Sequence, residues 1–279
     1  MKVTCKENIA ILLCTYNGGK YIREQLNSIL NQSYQDFQIF IHDDYSSDNT
    51  INIINEYKSL YGNKILLCED DKHHRGAAES FMWLLNHVEA EYYMFCDQDD
   101  VWLQDKILKS YKKMISVEQL NPNKAILIHT DLKIVDEKLN ILQPSMWKYA
   151  GFKVDISKKI DFLIFGNVVT GCTIIINKKA KGISLPFRQE FNVLHDFWIA
   201  INVAKYGIIE NIKESTILYR QHDKNECGMG KKQDKLKIDY VQFYEWWNNI
   251  YPLLQYINYG SYLKLLYNRS LYFIYRHFL

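Results

Sequence analysis

YYMFCDQDDVW, residues 92–102, sets five residues of a buried-strand type against a turn holding three carboxylates in four positions. An apolar run that ends abruptly in acid reads as a strand covered on both faces whose carboxyl end opens onto a site. The same grammar recurs upstream. IAILLC (9–14) runs into TYNGG, QIFIH (38–42) into DDYSSDNT, and KILLC (64–68) into EDDKHHRGA. Helical patterns near 20–31, 48–60 and 76–88 separate these runs, so the first half predicts an α/β domain with a largely parallel sheet. Function belongs at the polar segments after each strand.

Beyond residue 125 the pattern is less regular. AILIHT (125–130) and GCTIIIN (171–177) read as strands, HDFWIAINVAKYG (195–207) as a helix, and STILYRQH (215–222) as a strand with a polar end. NECGMGKKQDK (225–235) reads as a linker, because glycine and charge cluster there. This divides the chain into 1–230, with a first half to about 125 and a second from 126, and a helical extension over 231–279.

The chain has 279 residues, 48% hydrophobic and 24% charged, which is a globular balance. A net charge of +2 provides no basic field for nucleic acid, which is not expected as a partner. The six cysteines contain no C-x-x-C pair and read as reduced and mostly buried. The apolar run at 9–14 leads into a loop without a cleavage site and reads as a strand rather than a signal. With no apolar run of eighteen residues, the default location is cytoplasmic, which includes the inner face of the plasma membrane.

Asp97, Asp99 and Asp100 repel one another unless a cation or strong donors neutralise them, and the i, i+2 spacing lets Asp97 and Asp99 project toward a shared volume. A divalent ion held by oxygen, Mg²⁺ or Mn²⁺, is one explanation; a solvated turn leading into the helix beyond 104 is the other. Asp43 and Asp44 are placed to accept hydrogen bonds from a base or ribose, while Asp48 and Asn49 suit helix capping. TYNGG can present backbone N–H groups to a phosphate or nucleoside, although it matches neither a Walker loop nor G-x-G-x-x-G.

Taken in order, CTYNGGKYIREQLNSILNQSYQDFQIFIHDDYSSDNT, RGAAESF, CDQDDVW with Lys106 after it, NVVTGCT (167–173), HDFWIA (195–200) and LYRQH (218–222) resemble the family-2 glycosyltransferases of the GT-A fold, in particular the bacterial rhamnosyltransferase-like group. The resemblance implies a metal-dependent inverting glycosyltransferase. Its donor is a nucleoside-diphosphate sugar, dTDP-L-rhamnose ahead of a UDP-hexose, and its acceptor is a surface glycan or a lipid-linked precursor. It implies donor-site roles for Thr15, Tyr16, Asn17, Asp43, Asp44, Arg75 and Asp97, metal ligation by Asp99 and His222, and a general base at Asp196. Tyr45 departs from the family pattern, which has glycine there. A position that needs φ > 0 is costly for tyrosine, so either the loop differs or the ring contacts ligand.

Two other classes fit parts of the pattern: a noncatalytic nucleotide-sugar-binding subunit of a polysaccharide assembly complex, and a metal-dependent phosphohydrolase. His195 reads as a capping or supporting residue, Trp198 as core or sugar platform, and the pair His73 and His74 as loop. From Trp246 to the end no acidic residue occurs, while Lys264, Arg269 and Arg276 stand among tyrosines and leucines. Such helices pack on protein, including a second copy, or lie on a membrane interface.

Overall fold

The computed structural model describes residues 2–70, 74–223, 225 and 250–277. Two short strands, β1 (Val3–Thr4) and β5 (Val88–Glu89), pair in parallel apart from the main sheet. The parallel half of that sheet is built from β2 (Ile9–Thr15), β3 (Phe37–Asp43), β4 (Ile65–Leu67) and β6 (Tyr92–Cys96) in the order β4-β3-β2-β6. Helices α1 (Ile22–Leu30), α2 (Thr50–Tyr61) and α3 (Ala77–His87) form the crossovers. Every residue of β2 is buried. Ile9, Ile11 and Leu13 face the core beneath α1 and α2, whereas Ala10 and Leu12 face the core beneath α3. Alternate side chains pack against opposite layers, which is why the strand carries no polar residue before Thr15.

The second half joins the same sheet. β10 (Ile175–Asn177) runs antiparallel between β6 and β8 (Ile126–Val135), and β11 (Ile208–Arg220) runs parallel to β8. β9 (Ile141–Gln143) pairs with β8, and β7 (Val101–Trp102) pairs antiparallel with β11 at the far edge. Three of the expected strands differ in extent, β8 running on to Val135 beyond the expected end at 130. Residues 171–173 form a 3₁₀ turn before β10, and β11 begins seven residues before Ser215.

α4 (Lys106–Leu120) follows β7, and α5 (Met146–Ala150), α6 (Val154–Ser157) and α7 (Ile160–Leu163) are short. α8 (Lys178–Ser184) and α9 (His195–Tyr206) cover the second half. The pairing of Trp102 with Ile217 and Val101 with Leu218 places the acidic turn beside the end of β11, although more than a hundred residues separate them.

Helical residues 250–256 (α10) and α11 (Tyr262–His277) end the chain. One face of α11 packs on α7: Asn268 donates to Asp161 at 3.0 Å, and Tyr275 meets Phe162 edge-on. Leu265 is buried there, while Leu263 and Tyr267 on the outer face are 76% and 65% exposed. No helix among the described residues is long and apolar enough to cross a membrane. Of the 225–235 segment, only residue 225 is described.

Candidate active site

The strand-end loops of the parallel half are locked to one another. Thr15 donates to Asp43 at 2.7 Å, and Asp43 also accepts from the Ser46 hydroxyl at 2.6 Å and its N–H at 2.8 Å. Asn17, in left-handed backbone (φ 49°), donates its N–H to Ser46 and accepts from the Ser47 N–H. The N–H groups of Tyr16 and Gly19 are bonded to Gln98 and Asp48. The expectation that TYNGG offers backbone amides to a phosphate therefore fails at Tyr16, Asn17 and Gly19, because neighbouring loops already use them. Asp48 accepts from the Thr50 N–H at 3.0 Å at the start of α2, whereas Asn49 makes no side-chain cap bond.

Asp44 is buried and accepts from the backbone N–H groups of Arg75 (2.6 Å) and Gly76 (2.8 Å), with His74 Nδ1 at 3.0 Å. Arg75 is paired with Asp70 and Glu79 and lies over the Trp83 ring. Tyr16 is half-exposed, with the His74 ring tilted against it at 4.6 Å. Tyr45 takes φ 65°, so the left-handed turn is kept with a tyrosine in it. Its hydroxyl donates to the Asp70 carbonyl at 3.2 Å.

The acidic turn is balanced from within. Arg220 is fully buried; its backbone N–H donates to the Asp100 carboxylate at 3.2 Å and its side-chain Nε to the Asp99 carbonyl at 2.8 Å. The other guanidinium nitrogens bond the Glu137 carbonyl and Glu24. Asp99 meets His222 Nε2 at 2.8 Å, and the His222 ring stacks on Tyr21 at 4.9 Å. The i, i+2 reading, which sends Asp97 and Asp99 to one volume, is thus corrected. The ligand atoms of Asp97 gather with those of Asp100 and Cys172, within 4.8 Å of one another, while Asp99 turns to His222.

A solvated turn also fails as a description, since Asp100 has no exposed surface. Burial first, then Asp99 and Asp97, holds its carboxyl well above the usual range. Cys172 is raised likewise by burial. A thiol is a soft donor, so the Asp97–Asp100–Cys172 group is not the all-oxygen set that Mg²⁺ or Mn²⁺ favours. The Asp99 carboxylate and His222 imidazole do fit Mn²⁺, which accepts both donor types. Lys106 lies buried beside this cluster, 4.7 Å above Trp102, and burial lowers its pKa to about 8.

Asp196 occupies the first turn of α9 in the second half. It accepts from the N–H groups of Phe197 (2.5 Å) and Gly171 (3.0 Å) and from Asn167 Nδ2 (3.3 Å). Burial raises its pKa to about 6 against these bonds, which lower it. The carboxylate lines a cavity of about 370 Å³ with Val169, Val193, Leu194 and Phe197. Gly171 permits this approach, because a Cβ there would lie 2.6 Å from His195 Nε2.

His195 itself is no cap and no catalyst. Its ring packs against Phe81, tilted, and Phe95, stacked, and burial pushes its pKa down to about 3. Trp198 is core: it is 1% exposed and donates to the Ser184 carbonyl at 2.7 Å. The five described cysteines are free and buried. His73 and Cys227 lie outside the described residues.

Arg220 is the residue sequence reasoning missed. It stands in LYRQH, yet only the fold shows that its guanidinium reaches Glu24 of α1 and the Asp99 carbonyl of the turn.

A mixed sheet with an acidic turn after the fourth main-sheet strand and a buried carboxylate at the start of α9 is an α/β architecture of the GT-A kind. The chain belongs to glycosyl transferase family 2, whose pattern matches residues 10–174. It is 32% identical over 231 residues to the dTDP-rhamnosyl transferase RfbG of Shigella flexneri, covering 77% of this chain and 73% of that protein. Among solved structures, S. aureus TarS 1–349 in complex with UDP-GlcNAc superposes with a TM-score of 0.63 at 19% identity, over all of this chain and 73% of that one. The mannosyltransferase PcManGT from Pyrobaculum calidifontis, in complex with GDP-Man and Mn²⁺, gives 0.58 at 15% identity, over 78% and 58%.

Proposed function

We propose that this glycosyltransferase moves a sugar from a nucleoside-diphosphate donor, with inversion, to a hydroxyl of a bacterial surface glycan or lipid-linked precursor. dTDP-L-rhamnose is the favoured donor, on the likeness to RfbG, with a UDP-hexose second, on the likeness to TarS bound to UDP-GlcNAc. The observation that carries this reading is Asp196: a carboxylate with its pKa near 6, fixed by backbone N–H groups on the wall of a cavity. A base must be ionised at working pH and still hold a proton usefully, and this value meets both needs.

The acceptor oxygen attacks the anomeric carbon as the bond from that carbon to the diphosphate oxygen breaks. The electron pair leaves with the nucleoside diphosphate, and the acceptor proton passes to Asp196. Thr15, Tyr16, Asn17, Asp43, Asp44, Arg75 and Asp97 form the donor floor. Tyr16 offers an exposed ring to a base, and the bonds among Thr15, Asp43, Asn17 and Asp44 hold the loops in place. Asp99 and His222 would hold Mg²⁺ or Mn²⁺, which when bound supplies a Lewis acid for the leaving phosphate. The outer face of α11 would meet the inner membrane surface, where a lipid-linked acceptor resides, or a second copy of the chain.

Asp196→Asn tests the reading. It should retain nucleotide binding and lose transfer by about 10²–10⁴-fold, the range for removal of a general base. Transfer at the parental rate refutes it.

A further inference from the structure

The wall around Asp196 also bears on the acceptor. Ile134, Met146, Val169, Val193, Leu194 and Phe197 line most of the cavity. Polar side chains besides Asp196 are Asn167, Thr170 and Tyr219. Asn167 is already engaged, donating to Asp196 and accepting from the Val169 N–H at 3.0 Å. A second cleft of about 270 Å³, lined by Leu163, Ile164 and Phe165, shares Asn167, Val193 and Phe197 with the first and extends the apolar wall.

A hexose entering this space gives one hydroxyl to Asp196. Its remaining hydroxyls each need a partner or water, and a hydroxyl pressed between Val169 and Val193 finds neither. A methyl group there displaces water from apolar surface and leaves nothing unbonded. We infer that the acceptor is a 6-deoxyhexose, its methyl group seated against Val193 and its neighbours while the reacting hydroxyl reaches Asp196. This rests on Asp196 being the base that faces the acceptor.

The test uses the full chain saturated with dTDP or UDP and Mn²⁺, read by saturation-transfer NMR. Three matched pairs of methyl glycosides differ only in the oxygen on carbon 6: L-rhamnoside with L-mannoside, D-quinovoside with D-glucoside, and L-fucoside with L-galactoside. In at least one pair the deoxy sugar should bind more tightly, by up to about 100-fold, the limit for an apolar pocket rejecting an added hydroxyl. Its methyl protons should be the most strongly saturated. Val193→Thr, which keeps the shape and adds a hydroxyl to the wall, should narrow that preference by about tenfold, as one buried hydroxyl changes it.

Equal affinity within every pair, binding of none of the sugars, or a preference untouched by Val193→Thr overturns the inference. Asp196→Asn separates the two ideas. If it is inactive while the parent shows no methyl preference, only the acceptor assignment falls; if it transfers normally, the base assignment falls whatever the preference.

Discussion

The acidic turn after β6 and the first turn of α9 both present aspartate to the interior, and they treat its charge in opposite ways. At the turn, three acids are crowded and meet different partners: Asp100 accepts from the Arg220 backbone N–H, Asp99 meets His222, and Asp97 gathers with Asp100 and Cys172. At α9 a single carboxylate has backbone and amide donors only, and burial raises its pKa to about 6. Crowded acids are managed by giving each a different partner, whereas the lone acid is managed by partial withdrawal from water. The first arrangement fixes geometry, and the second tunes a proton affinity.

Removing the lone carboxylate should have the largest effect. Asp196→Asn, besides its loss of transfer, should be at least as stable as the parent at pH 8. The sign follows from the raised pKa: the folded state holds the proton more tightly than the unfolded chain. Stability from that proton is present below about pH 4 and is lost as pH rises through about 6. A thermal-melt series across that range checks it, and a parent whose melting temperature is level from pH 4 to 7 contradicts it. In the same window, parental transfer should climb about tenfold per pH unit below 6 and then level off, as ionisation of a single base requires.

The turn should fail differently. Arg220→Met takes a buried guanidinium away from the Asp99 and Glu137 carbonyls and should cost about 1–3 kcal/mol in urea unfolding, the scale for leaving buried polar groups unpaired. Arg220→Lys should recover part of that, because lysine restores charge without the fork. A loss in Arg220→Met below the error of the unfolding curve would show that the turn holds itself together.

His222→Ala should raise the Mn²⁺ concentration for half-saturation by about 10-fold or more, measured by titration calorimetry as well as by turnover, while leaving the pH limb near 6 in place. A shifted limb with unchanged Mn²⁺ affinity would merge the two regions that the comparison separates.

The smallest effect is expected at Tyr45. Its left-handed backbone costs a non-glycine residue about 1 kcal/mol, so Tyr45→Gly should offset the lost bond to the Asp70 carbonyl and leave the melting temperature nearly unchanged. A large drop would mean that the ring has a structural partner that matters more than the turn.

Much of this molecule can be read along the chain. Apolar runs such as IAILLC and YYMFC announce strands covered on both faces, because a strand with two packed sides cannot carry polar groups, and the polar segments after them mark the site. The Asp43 and Asp44 pair, the DQDD turn and the HDFW segment are visible for the same reason. Asn17 and Tyr45 at positive φ stand in loops whose turn residues were legible, although the loops' mutual bonding was not.

Which carboxylate faces which partner was decided only by the fold. Spacing of i, i+2 pointed Asp97 and Asp99 to one volume, but β7 turns back to pair with β11, so Asp100 is driven inward to Arg220 and Asp99 is drawn to His222. His195 and Asp196 are neighbours in sequence, yet one is sealed against phenylalanines and the other lines a cavity, because α9 turns successive residues to different faces. Residue type fixes which charges a chain carries; their protonation and their partners depend on distances and burial, which arise only when remote segments meet.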